Sequence, residues 1–212
     1  MRILFILTIC FTWFTSAKAQ VNLNQLIDSS FYMPVEDDYI LQSEGLAVVG
    51  KISTGKVSAG QRIDIMGMSG VAIVCTISSI YKEGNRVSSA VAGEYVALIV
   101  PGVNAEDIMR GMVAIQTDFG MQDSFINAEL EVLPGSRSYT DGNLVNIYIN
   151  GIDIPGCEII MEPGTTIDPG QKKIVRISCP LFVTQIKGLP FWIREINPYR
   201  VTAKGFVLIN DE

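Results

Sequence analysis

The sequence predicts an all-β protein, a barrel or a sandwich, and three observations carry that expectation. First, apolar and polar residues alternate in several short runs. Arg62-Ile63-Asp64-Ile65, Asn146 to Asn150 (NIYIN) and Lys173 to Ile177 (KIVRI) have the period of two that puts one face of a strand on a core. Val71 to Ile77 (VAIVCTI) is β-branched and apolar throughout. Second, 19 glycines and nine prolines interrupt the chain too often for long helices. Third, only one helical turn is legible. Asn104 can cap Ala105 to Arg110, acids fall in its first turn, an arginine in its last, and Gly111 can end it.

Taken in chain order, the first element is a leader. Arg2 supplies a positive start, Ile3 to Phe14 is apolar apart from two threonines, and Ala17-Lys18-Ala19 gives a cleavage signal before Gln20. This is the layout of a secretory signal peptide over residues 1–19. The apolar run is shorter than the roughly 20 residues that span a bilayer, so no stable membrane span is expected after cleavage. Residues 20–30 read as a lead-in. Removing 19 of 212 residues leaves 193, and the loss of Arg2 and Lys18 takes the formal charge from −6 to −8. Nucleic-acid binders draw affinity from clustered Lys and Arg, which makes nucleic acid an unfavoured partner.

Gly45 to Ser53 (GLAVVGKIS) comes within one residue of a phosphate-binding loop. Ile52 stands where that loop needs a hydroxyl for magnesium. Residues 46–49 read as a strand, and nothing after Lys51 reads as a helix whose N-terminus could face phosphates. Nucleotide binding here is therefore not expected. A short phrase recurs further on. Ala59-Gly60-Gln61, Ala92-Gly93-Glu94 and Pro169-Gly170-Gln171 each place a small residue, a glycine and a polar residue before an alternating strand, as a tight turn would. Gln116 to Ser124 (QTDFGMQDS) is polar and marks a domain boundary.

Reactive groups are few. The chain has no histidine, which removes Ser-His-Asp and Cys-His catalysis and His-ligated metals. Neither a metal nor another cofactor is expected. Cys75, Cys157 and Cys179 remain after cleavage. One pair could close in an oxidising compartment, Cys157 with Cys179 before the others, but three small buried thiols is the preferred reading. Glu36/Asp37 and Glu106/Asp107 are the only paired carboxylates that suggest a hydrolase. Neighbours on a strand point to opposite faces, which disfavours the first pair. Arg194-Glu195 reads as a local ion pair, and Trp192 as core or interdomain packing.

A wider window carries a family resemblance. Met33 to Gly67 (MPVEDDYILQSEGLAVVGKISTGKVSAGQRIDIMG) resembles the start of domain 2 of translation elongation factor Tu, with its Pro-hydrophobic-Glu-Asp step and its glycine-bounded strand and hairpin. Ala92 to Ala114 (AGEYVALIVPGVNAEDIMRGMVA) continues the likeness. Phe125 to Leu133, Asp168-Pro169-Gly170 and Pro190 to Val207 resemble parts of domain 3. The resemblance implies two tandem six-stranded β-barrels after the signal peptide, at residues 31–118 and 122–212. It also implies that the GTPase domain is missing, so no GTP is bound and no enzyme activity is expected.

In that family, domain 2 holds the aminoacyl end of tRNA beside the Glu-Asp step. The resemblance carries this pocket onto Glu36, Asp37 and Tyr39. Other positions depart from the family pattern. Val49 replaces a threonine, Tyr95 an asparagine, Tyr81 falls near a glutamate, and Glu44 reverses an arginine's charge. Gly142-Asn143-Leu144-Val145 lacks a family cation. Each lost polar partner forfeits about 1–3 kcal/mol in a buried site. The expectation is a non-catalytic exported binding or structural protein, periplasmic or secreted, whose partner is a protein, with Glu36, Asp37, Tyr39, Tyr81 and Tyr95 as its candidate ligand residues. The alternative is a cytoplasmic translation-factor-like module that binds tRNA or RNA ends.

Overall fold

A computed structural model describes residues 30–196 and 199–209. Ala19, Gln20 and the rest of the leader lie outside the described residues, as does most of the lead-in. The chain forms two β units with no α-helix among the described residues. The first contains β1 (Tyr32–Pro34), β2 (Asp37–Leu41), β3 (Gly45–Lys51), β4 (Lys56–Ser58), β5 (Arg62–Met66), β6 (Ile73–Thr76), β7 (Ser79–Lys82), β8 (Asn85–Val87), β9 (Ser89–Val91), β10 (Tyr95–Val100) and β11 (Val113–Gln116). The second contains β12 (Met121–Val132), β13 (Tyr139–Thr140), β14 (Leu144–Ile149), β15 (Ile152–Ile160), β16 (Thr166–Ile167), β17 (Lys172–Gln185), β18 (Pro190–Ile196) and β19 (Tyr199–Val207). Residues 117–120 join them, inside the boundary that the sequence marks.

The second unit is a closed six-stranded barrel in the order β12-β17-β15-β14-β18-β19. Long strands allow closure, since β12 pairs with β17 along one part and with β19 along another. The first unit departs from the expected six-stranded barrel. Its strands form a four-stranded sheet, β1-β11-β5-β6, and a five-stranded sheet, β2-β3-β10-β7-β8, with β4-β9 as a separate ribbon. Proline explains part of the break. Pro34 ends β1 and has no N–H to extend a ladder. The chain crosses between sheets at the next two residues, where Val35 N–H donates to Met112 O and Glu36 N–H donates to Val49 O. Both sheets nonetheless enclose one core, built from Met33, Leu46, Val48, Ile52, Ile63, Ile65, Leu98 and their neighbours.

The near-miss phosphate loop is strand β3, followed by an irregular stretch and a short strand, not a helix. Ile52 is fully buried in the core. The helical turn at Ala105 is shorter than the sequence suggests. It is a single 3-10 turn, Ala105–Asp107, and Asn104 makes no side-chain bond to its backbone. Asn104 Nδ2 donates to Asp107 Oδ2 instead. The turn stops because Ile108 is extended and buried in the core, while Gly111 N–H is drawn to Val35 O.

The recurring turn phrase has a shared geometry. Gly60, Gly93 and Gly170 have φ of +84°, +90° and +86°, values that favour glycine. In each copy the following polar side chain folds back. Gln61 Oε1 accepts from Ser58 N–H, Glu94 Oε2 from Val91 N–H and Gln171 Oε1 from Asp168 N–H, all at 3.0 Å. The Gln or Glu thus satisfies the backbone donor three residues earlier.

The two units pack directly. Tyr32, Met66, Val113 and Ile115 of the first join the apolar cluster of the second. Tyr32 Oη donates to Asn150 Oδ1 at 2.8 Å, and burial raises the tyrosine's pKa. Asn150 Nδ2 donates in turn to Thr184 O. A Cβ on Gly111 would lie 2.5 Å from Ile152 Cγ2, so the glycine lets the surfaces approach.

Arg194 and Glu195 do not pair with each other, contrary to the expectation from their adjacency. They lie on opposite faces of β18. Arg194 sits 3.3 Å from the Tyr148 ring centroid and 3.6 Å from Asp153, whereas Glu195 binds Arg200 at 2.9 Å.

Cys75, Cys157 and Cys179 are all free and buried. Cys157 and Cys179 lie opposite each other on β15 and β17, with sulfurs 2.7 Å apart. The Cys157 thiol pKa is pushed up by its hydrogen bond to Cys179 and then by burial. Burial and Asp64 push Cys75 to about 11. The thiolate is the reactive form. In the reduced folded chain at mildly alkaline pH, Cys75 and Cys157 should therefore react with Ellman's reagent at least about tenfold more slowly than after denaturation. Equal rates would mean that the core is open to solvent.

Candidate functional site

The candidate site is built on the outer face of the five-stranded sheet. Strand β3 is buried on both sides. Leu46 and Val48 enter the core of the first unit, while Ala47 and Val49 join Ala97 and Ile99 of β10 in a separate apolar patch on the opposite face. Strand register sets what surrounds that patch. Tyr39 of β2 lies across from Ala47, and Asp37 across from Val49. Tyr81 of β7 lies across from Ala97. Tyr95 begins β10, across from Lys51.

The small Ala97 side chain lies between larger neighbours at a concavity. Tyr39, Leu41, Tyr81, Tyr95, Val96 and Ala97 line it with Glu44, Glu83 and Gly84, enclosing about 360 Å³. Tyr39 and Tyr95 are 46% and 51% exposed, so their rings are available to a guest. Tyr81 Oη donates to Glu44 Oε1 at 2.8 Å. That bond, then partial desolvation, raises the Tyr81 pKa. Desolvation followed by the nearby Glu36 carboxylate raises the Tyr95 pKa, with Asp37 and Tyr39 adding smaller effects. Tyr81 and Tyr95 therefore stay neutral donors at ordinary pH.

The structure thus gathers Tyr39, Tyr81 and Tyr95 around one concavity. Glu36 and Asp37 are exposed at its Tyr95 end and are not lining residues. Glu106 and Asp107 lie on the 3-10 turn and are not lining residues of this concavity either. Among the described residues, no group of three or more His, Cys, Asp or Glu could hold a metal ion.

Sequence reasoning missed two features. Glu44 and Glu83 border the concavity, and the three Tyr residues are too far apart in the chain for a local motif to join them to these acids. A second concavity of about 380 Å³ lies between the units, walled by Tyr32, Pro34, Tyr148, Leu189, Trp192 and Phe206 among others. Trp192 is therefore at the interface, as expected, but 36% exposed within an open cleft. The alternating outward positions of β14 and β18 were the available signal.

The chain is thus an all-β protein, a twin-sheet unit with a tyrosine-lined outer concavity joined to a closed six-stranded barrel. Residues 45–115 match the family model of elongation factor Tu domain 2. The first unit is therefore an elongation factor Tu domain 2-like module. The match starts at the first residue of β3 and ends within β11, so it spans strands of both sheets and includes Tyr81 and Tyr95.

Proposed function

We propose that the chain is a non-catalytic, exported binding protein built on an elongation factor Tu domain 2-like unit and a closed barrel, and that it engages a protein through the tyrosine concavity. The observation that carries this reading is the placement of Tyr39, Tyr81 and Tyr95 around one open recess of the family-matched module. Aromatic side chains with polar tips are favoured at protein interfaces because they offer large contact area at small entropic cost. The acidic balance of the chain weighs against nucleic acid. The leader supports export. The second unit supplies rigidity, because its contacts with the first are packed and hydrogen-bonded.

Photocrosslinking in the source organism tests this. Benzoylphenylalanine at position 39 or 95 should crosslink to a protein in the envelope or medium, while the same group at exposed Ile174 of the second barrel should not. The recovered chain should begin at Gln20. Crosslinks to tRNA or ribosomal RNA, on a cytosolic chain that still begins at Met1, would instead establish a translation-factor-like module that binds RNA ends.

A further inference from the structure

Resting on that reading, we propose that the tyrosine concavity selects a cationic group, a lysine or arginine side chain of the partner protein. Its charged lining residues are Glu44 and Glu83, both carboxylates, and its remaining titratable lining residues are tyrosines. Glu36 and Asp37 add negative charge at the Tyr95 end. A cation over a tyrosine ring is attracted by the electron-rich face, and the attraction grows as water is excluded. An anion would meet two carboxylates and no lining cation. The apolar lining at Leu41 and Ala97 can pack the methylene stem of a lysine or arginine, which buries apolar surface while its head stays polar.

The cations nearby do not close this site. Lys82 is bound by Glu94, and Glu94 lies outside the lining. Arg86 faces Tyr81 across β8 and Lys51 faces Tyr95 across β3, and both lie outside the lining. Glu44 accepts from Tyr81 through one oxygen and has a second oxygen available to a guest.

The test uses the full chain and four probes: the blocked tripeptides Gly-Arg-Gly, Gly-norleucine-Gly and Gly-Glu-Gly, and adenosine. Backbone amide shifts of Tyr39, Tyr81 and Tyr95 are followed by NMR. The arginine peptide should shift these amides at least about tenfold more tightly than the norleucine peptide, and the glutamate peptide should give no response. Replacing both acids, Glu44→Gln with Glu83→Gln, should remove about tenfold of the arginine affinity and leave the spectrum elsewhere unchanged, because the amide still accepts from Tyr81. Equal response to arginine and norleucine, or a response to adenosine alone, overturns cation selectivity while leaving the recess a binding site. Silence at all three tyrosines with every probe overturns both the selectivity and the proposed site.

Discussion

Gly50→Ala should destabilise the first unit by roughly 3 kcal/mol, the upper end of what overpacking costs in a close-packed interior. An alanine Cβ at this position would lie 2.2 Å from the carbonyl oxygen of Pro34. A side-chain obstacle could rotate away, but this one is backbone. It is also fixed on both sides. Val35 N–H is held by Met112 O at 2.8 Å and Glu36 N–H by Val49 O at 2.9 Å. Relieving the clash would break the crossing by which the chain passes between sheets. Lys51→Ala, one residue on, should change stability by less than about 0.5 kcal/mol, because Lys51 is exposed. Urea denaturation measures both. A phosphate loop predicts a different pattern, with Lys51 required for GTP binding. An unaltered Gly50→Ala midpoint together with measurable GTP affinity that Lys51→Ala abolishes would reverse this assignment. Gly50 is in the motif because β1 passes over β3, and the motif-like spelling is a by-product of that packing.

The contrast shows which parts of the chain were legible. Strands read well where one face is buried, because alternation is then the direct imprint of the core. Val145, Ile147 and Ile149 in β14 are buried for this reason, while the alternating Leu144, Asn146 and Tyr148 are not. Strand β3 reads instead as a continuous apolar run, since it is buried on both faces. The three tight turns read from their glycines, while the role of Gln61, Glu94 and Gln171 did not. Their bonds to backbone three residues earlier leave no periodic trace. The division of the first unit into two sheets was also hidden, because it depends on where hydrogen-bond ladders stop, as at Pro34. The recess failed to appear as a motif for a different reason. Tyr39, Tyr81 and Tyr95 come together only through the β2-β3-β10-β7 order, which joins strands that are not consecutive in the chain. The family resemblance suggested those positions. It marked Glu44 only as a reversed charge and did not point to Glu83, and on those two acids the selectivity for a cation depends.

The second large effect lies in the closed barrel. Phe191 and Gly205 are direct cross-strand partners on β18 and β19, and Phe191 is fully buried. Its ring covers the glycine so closely that a Cβ on residue 205 would lie 2.3 Å from Cζ and 2.6 Å from one Cε. Phe191→Ala should therefore cost about 3–5 kcal/mol, combining lost apolar burial with a cavity. Gly205→Ala should cost about 1–3 kcal/mol by forcing the ring from its place. The double variant separates this account from two independent defects. With the ring gone, the new methyl has nothing to strike and fills part of the cavity. The double variant should then be at least about 1 kcal/mol more stable than the sum of the single losses predicts. Because ring and glycine sit in the same layer of the barrel, the cooperative transition should report the coupling whether followed by far-ultraviolet circular dichroism or by Trp192 fluorescence. Single losses that add to within about 0.5 kcal/mol would mean that the barrel relaxes around the methyl without help from the cavity. In that case the Phe191–Gly205 pair would not be what sets the spacing of β18 and β19.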